Sequence, residues 1–329
     1  TRKESSAASD VYKRQILKRL AVSVLVLLAV SFVVFVFTLL LPGDPAQAIL
    51  GQQATPERLE ALRSQLGLDQ PWWQRYFDWL GGILTGDLGV SAATGGSISA
   101  LLGERIVNSL VLMAIAAVIA VPLGLSLGTW AALRRGRASD TALNTGSMIL
   151  ASLPEFVVGI VLVALFSTTV LQILPSVTMA APGTRVWEFP LQLVLPVAAL
   201  VLVVVPYMVR MMRQTMTEVL SSGYVEMARL KGVPERQVIL RHALPHAIGP
   251  VAQVVAMQLA WLAGGIVVIE VLFRYPGIGQ AMVDAVNNRD VQVVQTISLL
   301  IAAFYVVVNL LADVVGILAN PKQRTESGR

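Results

Sequence analysis

The sequence predicts an all-α polytopic membrane protein with six transmembrane helices, and three observations carry that prediction. Hydrophobic residues make up 55% of the 329 residues and charged residues only 14%, against about 25% charged in an ordinary soluble domain. Six apolar runs approach or exceed the roughly 20 residues that a helix needs to cross a hydrocarbon core. Arginine is concentrated in two of the intervening loops, as the positive-inside rule requires of cytoplasmic segments. The mean hydropathy of +0.70 agrees. The net charge of +5 is scattered between the runs and forms no single stripe, which argues against nucleic acid as a partner. With no cysteine in the chain, disulfides, thiolate metal sites and cysteine nucleophiles are excluded.

Residues 1–15, TRKESSAASDVYKRQ, are set apart. DVYKRQ is what the end of a common sequencing-library transposon reads as in translation, so an assembly-derived leader is expected, with the native chain resuming near Ile16. The first span is residues 20–41, which carry no charge. Lys18 and Arg19 precede it and Ala46-Gln47-Ala48 resembles a cleavage site. The apolar stretch nevertheless exceeds the roughly 7–15 residues of a signal-peptide core, so it reads as a retained span. Residues 42–108 complete the first unit, 16–108, as a long external segment with interfacial helices. Within it, residues 57–68 place Leu59, Leu62 and Leu66 on one helical face. Residues 71–84 carry Trp72, Trp73, Tyr76, Phe77 and Trp79. Such rings favour the membrane–water boundary, so this helix reads as a cap on the bundle, with a docking surface for an external partner as the alternative.

The second unit, 109–329, holds the other spans at 109–133, 141–175, 190–209, 247–269 and 291–312. Loop 134–139 carries Arg134, Arg135 and Arg137, and loop 207–245 carries Arg210, Arg213, Arg229, Lys231, Arg236 and Arg241. Both should face the cytoplasm, so an even number of spans separates them. The long run 141–175 is then one span, bent near Pro154. Six spans with both termini inside follow, and no repeat of 20–50 residues is visible.

Chemistry of the enzymatic kind is not legible. No GxxxxGK[ST] occurs, so no P-loop is expected in this chain. His242 and His246 are spaced for one helix face, but Pro245 lies between them and no third ligand is near, so no metal site is expected. Two carboxylates fall inside spans, where an ionisable group is costly and is a functional hypothesis by default. Glu155 lies halfway along the third span; it is a candidate for the translocation path, facing a substrate amine, or else pairs with a sister subunit. Glu270, near the outer end of the fifth span, is a second path or gating candidate, with an i,i+4 ion pair to Arg274 as the plain alternative. Asp313 reads as interfacial.

The most polar interruption, YVEMARLKGVPERQVILRHALPH, begins at Tyr224. Gly232 can end a helix in the left-handed conformation, and Pro234 suits the first turn of the next. The stretch therefore reads as a short helix, a Gly-Val-Pro corner and a second helix leading into the fifth span. So charged a unit cannot bury itself and needs a partner surface.

These residues resemble the permease subunits of ATP-binding-cassette importers. Those subunits carry E-A-A, three residues, G, nine residues, then I-x-L-P. Here the positions are Glu226, Met227 and Ala228, then Gly232, then His242-Ala243-Leu244-Pro245, with Met and His as departures. The peptide/nickel branch reads Y-V-x-x-A-R-x-K-G and R-H-A-L, which Tyr224-Val225, Ala228-Arg229-Leu230-Lys231-Gly232 and Arg241-His242-Ala243-Leu244 match. LPGDPA at 41–46, LGLDQPWWQRYFDWL at 66–80, GDLGVS at 86–91, SLPEF at 152–156 with Gly159, Glu270 with Phe273 and Pro276-Gly277-Ile278-Gly279, and Asn288-Arg289-Asp290 extend the resemblance to the first permease of dipeptide and oligopeptide systems. The family often closes on a D-P-R-type motif, where this chain has Asn320-Pro321-Lys322.

The resemblance implies a type I importer permease fold with a coupling loop at 219–245. Tyr224, Glu226, Ala228, Arg229, Lys231, Gly232, Pro234, His242, Leu244 and Pro245 would dock on an ATPase. It implies a second homologous permease, two ATPase subunits that bind ATP and magnesium, an extracytoplasmic substrate-binding protein, and a place in the cytoplasmic (inner) membrane, with no cofactor in this chain. Peptide is the implied substrate; nickel chelates, glutathione and oligosaccharides are the alternatives within the family. An ion-coupled secondary transporter is the competing class. Its foothold is Glu155 beside Pro154, and it leaves the 219–245 loop unexplained.

Overall fold

The computed structural model describes residues 2–40, 45–50, 54–65, 67–179 and 185–319. Among them it contains thirteen α-helices and no strand: α1 (Arg2–Leu39), α2 (Pro45–Leu50), α3 (Pro56–Gln65), α4 (Trp72–Thr85), α5 (Ile98–Leu133), α6 (Ala138–Ser152), α7 (Glu155–Val163), α8 (Pro190–Leu220), α9 (Gly223–Leu230), α10 (Glu235–Gln237), α11 (Leu244–Leu272), α12 (Ile278–Asn287) and α13 (Val291–Ala319). Five continuous helical stretches are long and apolar enough to cross a membrane, and α6 with α7 makes a sixth if that bent pair is one span. The six-span expectation therefore holds on that reading.

The bend was placed correctly but is far sharper than a proline kink. The axes of the two halves turn through 104°. Leu153 (φ −85°, ψ 135°) and Pro154 (φ −58°, ψ 143°) are both extended, because the proline ring disfavours helix at the residue before it. By contrast Pro122, Pro196, Pro206 and Pro250 sit inside unbroken helices, as neighbouring helices in membranes permit. After α7 a π-helical turn, Ala164–Thr168, ends the element, short of residue 175.

Several helices overrun the predicted spans. α8 has 31 residues, about 46 Å of helix against a hydrocarbon core of about 30 Å. Arg210 and Arg213, expected in a loop, therefore lie on its protruding end. α5 likewise begins eleven residues early, at Ile98. The fifth span is continuous with the helical segment before it, from Glu235 to Leu272. Pro245 is absorbed there by a π-helical stretch, Val238–Ala243, in which the Leu244 N–H reaches back to the Ile239 carbonyl. The wider turn releases the hydrogen bond that proline cannot make. α12 was read only as loop.

Three apolar clusters stack along the bundle. The central one joins α5, α7, α8 and α11 through residues such as Leu112, Val158, Leu200, Met208 and Ile266. At one end Met212, Met216, Val225, Val238 and Ala247 gather under the 219–245 loop. At the other end Ile98, Leu102, Ala285 and Ile297 join α5, α12 and α13. α5 and α8 approach most closely where α5 carries Gly124 and Gly128. A Cβ at Gly124 would lie 2.6 Å from Met208 Cβ, and one at Gly128 would lie 2.7 Å from the Val209 carbonyl oxygen. This is the small-xxx-small device that lets helix backbones touch in membranes. Gly128→Ala is expected to lower stability by about 1–3 kcal/mol, read as an earlier loss of monodisperse protein on heating in detergent.

The aromatic helix α4 packs on α1 around Ser31, Phe32 and Phe35. The Tyr76 hydroxyl shares a 2.9 Å hydrogen bond with Ser31, and the Tyr76 ring meets Phe32 and Phe35 edge to face. α1 is otherwise peripheral; Gln295 of α13 donates to Thr38 at 2.6 Å. In the amphipathic helix α3, Leu59 and Leu62 are half-buried, and the expected third member, Leu66, lies outside the described residues. So do residues 41–44, the start of the LPGDPA motif, and Asn320-Pro321-Lys322; Asp313 falls in α13 where side chains are not described.

Candidate functional site

The 219–245 segment folds as the sequence reading expects, with one shift. α9 starts after Ser222 and ends at Leu230 with Lys231 as its C-cap, and Gly232 turns the chain with φ +75°. The Gly232 N–H bonds to the Arg229 carbonyl (2.9 Å) and the Val233 N–H to the Ala228 carbonyl (3.2 Å), closing the helix end. Pro234 stands one position before α10, as its extended N-cap.

The corner is clamped from outside. Arg229 donates from Nε and Nη2 to the two carboxylate oxygens of Glu235, at 3.2 and 2.7 Å. Both groups are exposed, so the pair contributes at most about 1 kcal/mol; it bridges α9 and α10 across the corner. Inside, Val225 and Ala228 are buried against Met212, Met216 and Val238. Tyr224 lays its ring edge to face on His246, with centroids 5.1 Å apart.

What remains outside is an apolar ridge on a charged rim. Met227 is 52% exposed and Leu230 76%, with Tyr224 beside them. Lys231 and Pro234 are exposed, and the Glu226 carboxylate has no hydrogen bond or ion pair among the described residues. His242 and Leu244 are half-buried behind the ridge and Pro245 is exposed. No cluster of three metal-ligating side chains occurs among the described residues.

The two in-span carboxylates part company. Glu155 opens α7 and borders a cavity of about 320 Å³ with Phe156, Val203, Tyr207 and Trp261. Glu270 is wholly buried and borders neither this cavity nor the larger one between α1, α4 and α13. Ser109 donates to its Oε1 (2.5 Å), the Gly279 N–H donates to its Oε2 (2.6 Å), and Ser109 in turn accepts from the Ile278 N–H (2.9 Å). The expected ion pair with Arg274 does not form. α11 has already ended at Leu272, and Arg274 (φ +49°) turns out to solvent. Around this anchor the Tyr275 hydroxyl donates to the Asn108 carbonyl (2.7 Å) and Asn108 Nδ2 to the Pro276 carbonyl (2.9 Å). The Pro276-Gly277-Ile278-Gly279 motif is thus the cradle of a buried carboxylate.

Sequence reading missed two further ties. Asp140 of α6 takes a bidentate contact from Arg213 of α8, at 2.5 and 2.8 Å, and accepts the Gly136 N–H at 3.1 Å. It binds the 134–137 loop to the helix that enters the corner. Asp290, at the start of α13, accepts from Ser91 (2.5 Å) and the Ala93 N–H (3.3 Å) and so fastens the external segment to the bundle. Asp290 and Ser91 both lie in motifs the sequence singled out, Asn288-Arg289-Asp290 and GDLGVS, but nothing in either motif showed that they pair.

Comparison with known proteins places this architecture. The model of the family described as binding-protein-dependent transport system inner membrane component matches residues 121–325, and that of its N-terminal region matches residues 12–128. The chain belongs to this family. The permease is 35% identical over 310 residues to the "Probable peptide ABC transporter permease protein y4tP" of Sinorhizobium fredii, covering 94% of this chain and 98% of that protein. It is 35% identical over 309 residues to the glutathione transport system permease protein GsiC of Escherichia coli K12, and 36% to that of Salmonella typhi, each covering 94% of this chain and 98% of the relative. This is therefore a multi-pass inner-membrane permease of an ABC importer of the peptide/oligopeptide/nickel family.

Proposed function

We propose that the permease forms, with a second homologous permease, the path by which short peptides enter the cytoplasm. Two ATPases, which bind ATP and magnesium, drive it from below, and a binding protein delivers substrate from outside. In this reading the permease catalyses no reaction itself, and both of its termini face the cytoplasm. Relatives named for peptide and for glutathione support the substrate class, since glutathione is itself a tripeptide. The observation that carries the coupling role is the α9 corner, a short helix with an apolar ridge, clamped at a fixed angle to the helix that runs on as the fifth span. A push on α9 is therefore delivered to α11 as a rigid-body tilt. The arginine-bearing ends of α5 and α8 lie at the same end of the bundle as α9, which supports its facing the cytoplasm.

The test is a tagged pull-down from gently solubilised membranes, with mass spectrometry of the associated chains. A second six-span permease and ATPase chains are expected. A permease that elutes alone or with copies of itself, under conditions that keep a control complex intact, would defeat the proposed assembly.

A further inference from the structure

Three helices bring unlike groups to one depth of the bundle. Tyr207 lies about 20 Å along α8 from Leu220, Trp261 about 25 Å along α11 from Leu244, and Glu155 follows about 22 Å of α6. All three border the cavity of about 320 Å³, which is open on one side. It suits one end of a short peptide.

The carboxylate is held but unanswered. A Cβ built on Gly265 would lie 2.7 Å from Glu155 Oε2 and 3.0 Å from the Trp261 ring, so the absence of a side chain there makes the notch in which the oxygen rests. Oε2 is buried without a hydrogen-bond partner. No basic residue lines the cavity. The first turn of α7 favours negative charge at this position, and an unpaired carboxylate at membrane depth calls for a cation. The indole of Trp261 and the phenol of Tyr207 are both partly exposed beside it, and their faces attract cations. One carboxylate with aromatic walls does not satisfy a divalent metal, which needs several oxygen ligands. It matches a compact ammonium.

We infer that this cavity is a transit site for the free α-ammonium group of the peptide, with Glu155 as its counter-ion and Trp261 and Tyr207 as its aromatic walls. The inference rests on the peptide reading and adds the substrate group that the path selects.

The experiment uses the complete importer in proteoliposomes, with uptake of trialanine and N-acetyl-trialanine, each at saturating binding protein. A charge-assisted hydrogen bond contributes about 1.5–3 kcal/mol, so Glu155→Gln should shrink the preference for the free amine by about tenfold or more. Subunit composition should persist. Glu155→Asp should restore part of the preference, and Trp261→Phe should keep more of it than Trp261→Leu. An unchanged preference in Glu155→Gln overturns the site. So does loss of the sister permease from the purified complex, which would make Glu155 an intersubunit partner. Absence of ATP-driven uptake of either peptide by the wild-type complex is a separate result; it would overturn the peptide reading, and the site with it.

Discussion

Gly232→Val is expected to abolish ATP-driven uptake while the permease still co-purifies with its ATPases. The cause lies in the backbone alone. Gly232 holds φ +75° and a Cβ there would meet nothing within 4 Å, so crowding is not the obstacle. A left-handed residue with a side chain costs about 1–2 kcal/mol, and a β-branched one is a genuine outlier in that region. The corner would relieve that strain by rotating, which would part Arg229 from Glu235 and swing the ridge of Tyr224, Met227 and Leu230 away from its partner. Gly232→Asn is the control, because asparagine tolerates the left-handed region; it should keep most of the uptake. Uptake rate and ATP hydrolysis measured on the same vesicles decide the matter. Wild-type transport by the valine variant would remove the fixed-angle account of coupling.

Glu270→Ala should cost about 3 kcal/mol or more, since it empties a buried site and strips partners from Ser109 and the Gly279 N–H. The expected result is a sharp fall in folded permease recovered from membranes and a lower melting temperature in detergent. Glu270→Gln should lose less, because its amide oxygen can still accept the Gly279 N–H. Gly277→Ala should behave like Glu270→Ala, as its Cβ would fall on the Glu270 carboxylate. A Glu270→Ala permease that melts like the wild type but has altered substrate affinity would return Glu270 to the translocation path.

Much of the site was legible because it is local. The Gly-Val-Pro corner spans three consecutive residues, and the conformations of Gly232 and Pro234 follow from their own covalent chemistry. The ridge of α9 was not read: Met227 and Leu230, which form it, were not among the residues expected to dock, and Ala228, which was, faces inward. Glu270 was misread for the same reason that the corner was read well. An i,i+4 rule supplies a partner only while the helix continues, and α11 ends two residues after Glu270. Its partner Ser109 is 161 residues away in the chain, and Asp140 and Arg213 are 73 apart. No spacing rule reaches across such distances.

By itself the sequence determined which segments are apolar and long enough to cross a membrane, since the cost of burying backbone and charge in hydrocarbon is paid residue by residue. It also determined the stop at Gly232 and the proline at which the third span breaks. Only the tertiary structure decided how sharply that span breaks, how far α5 and α8 run beyond the bilayer, and which carboxylate is sealed by hydrogen bonds and which is left facing a cavity. Those outcomes depend on what packs opposite each residue. For Glu155 it is the notch at Gly265 on α11; for Glu270 it is Ser109 on α5 and the Gly277–Gly279 turn.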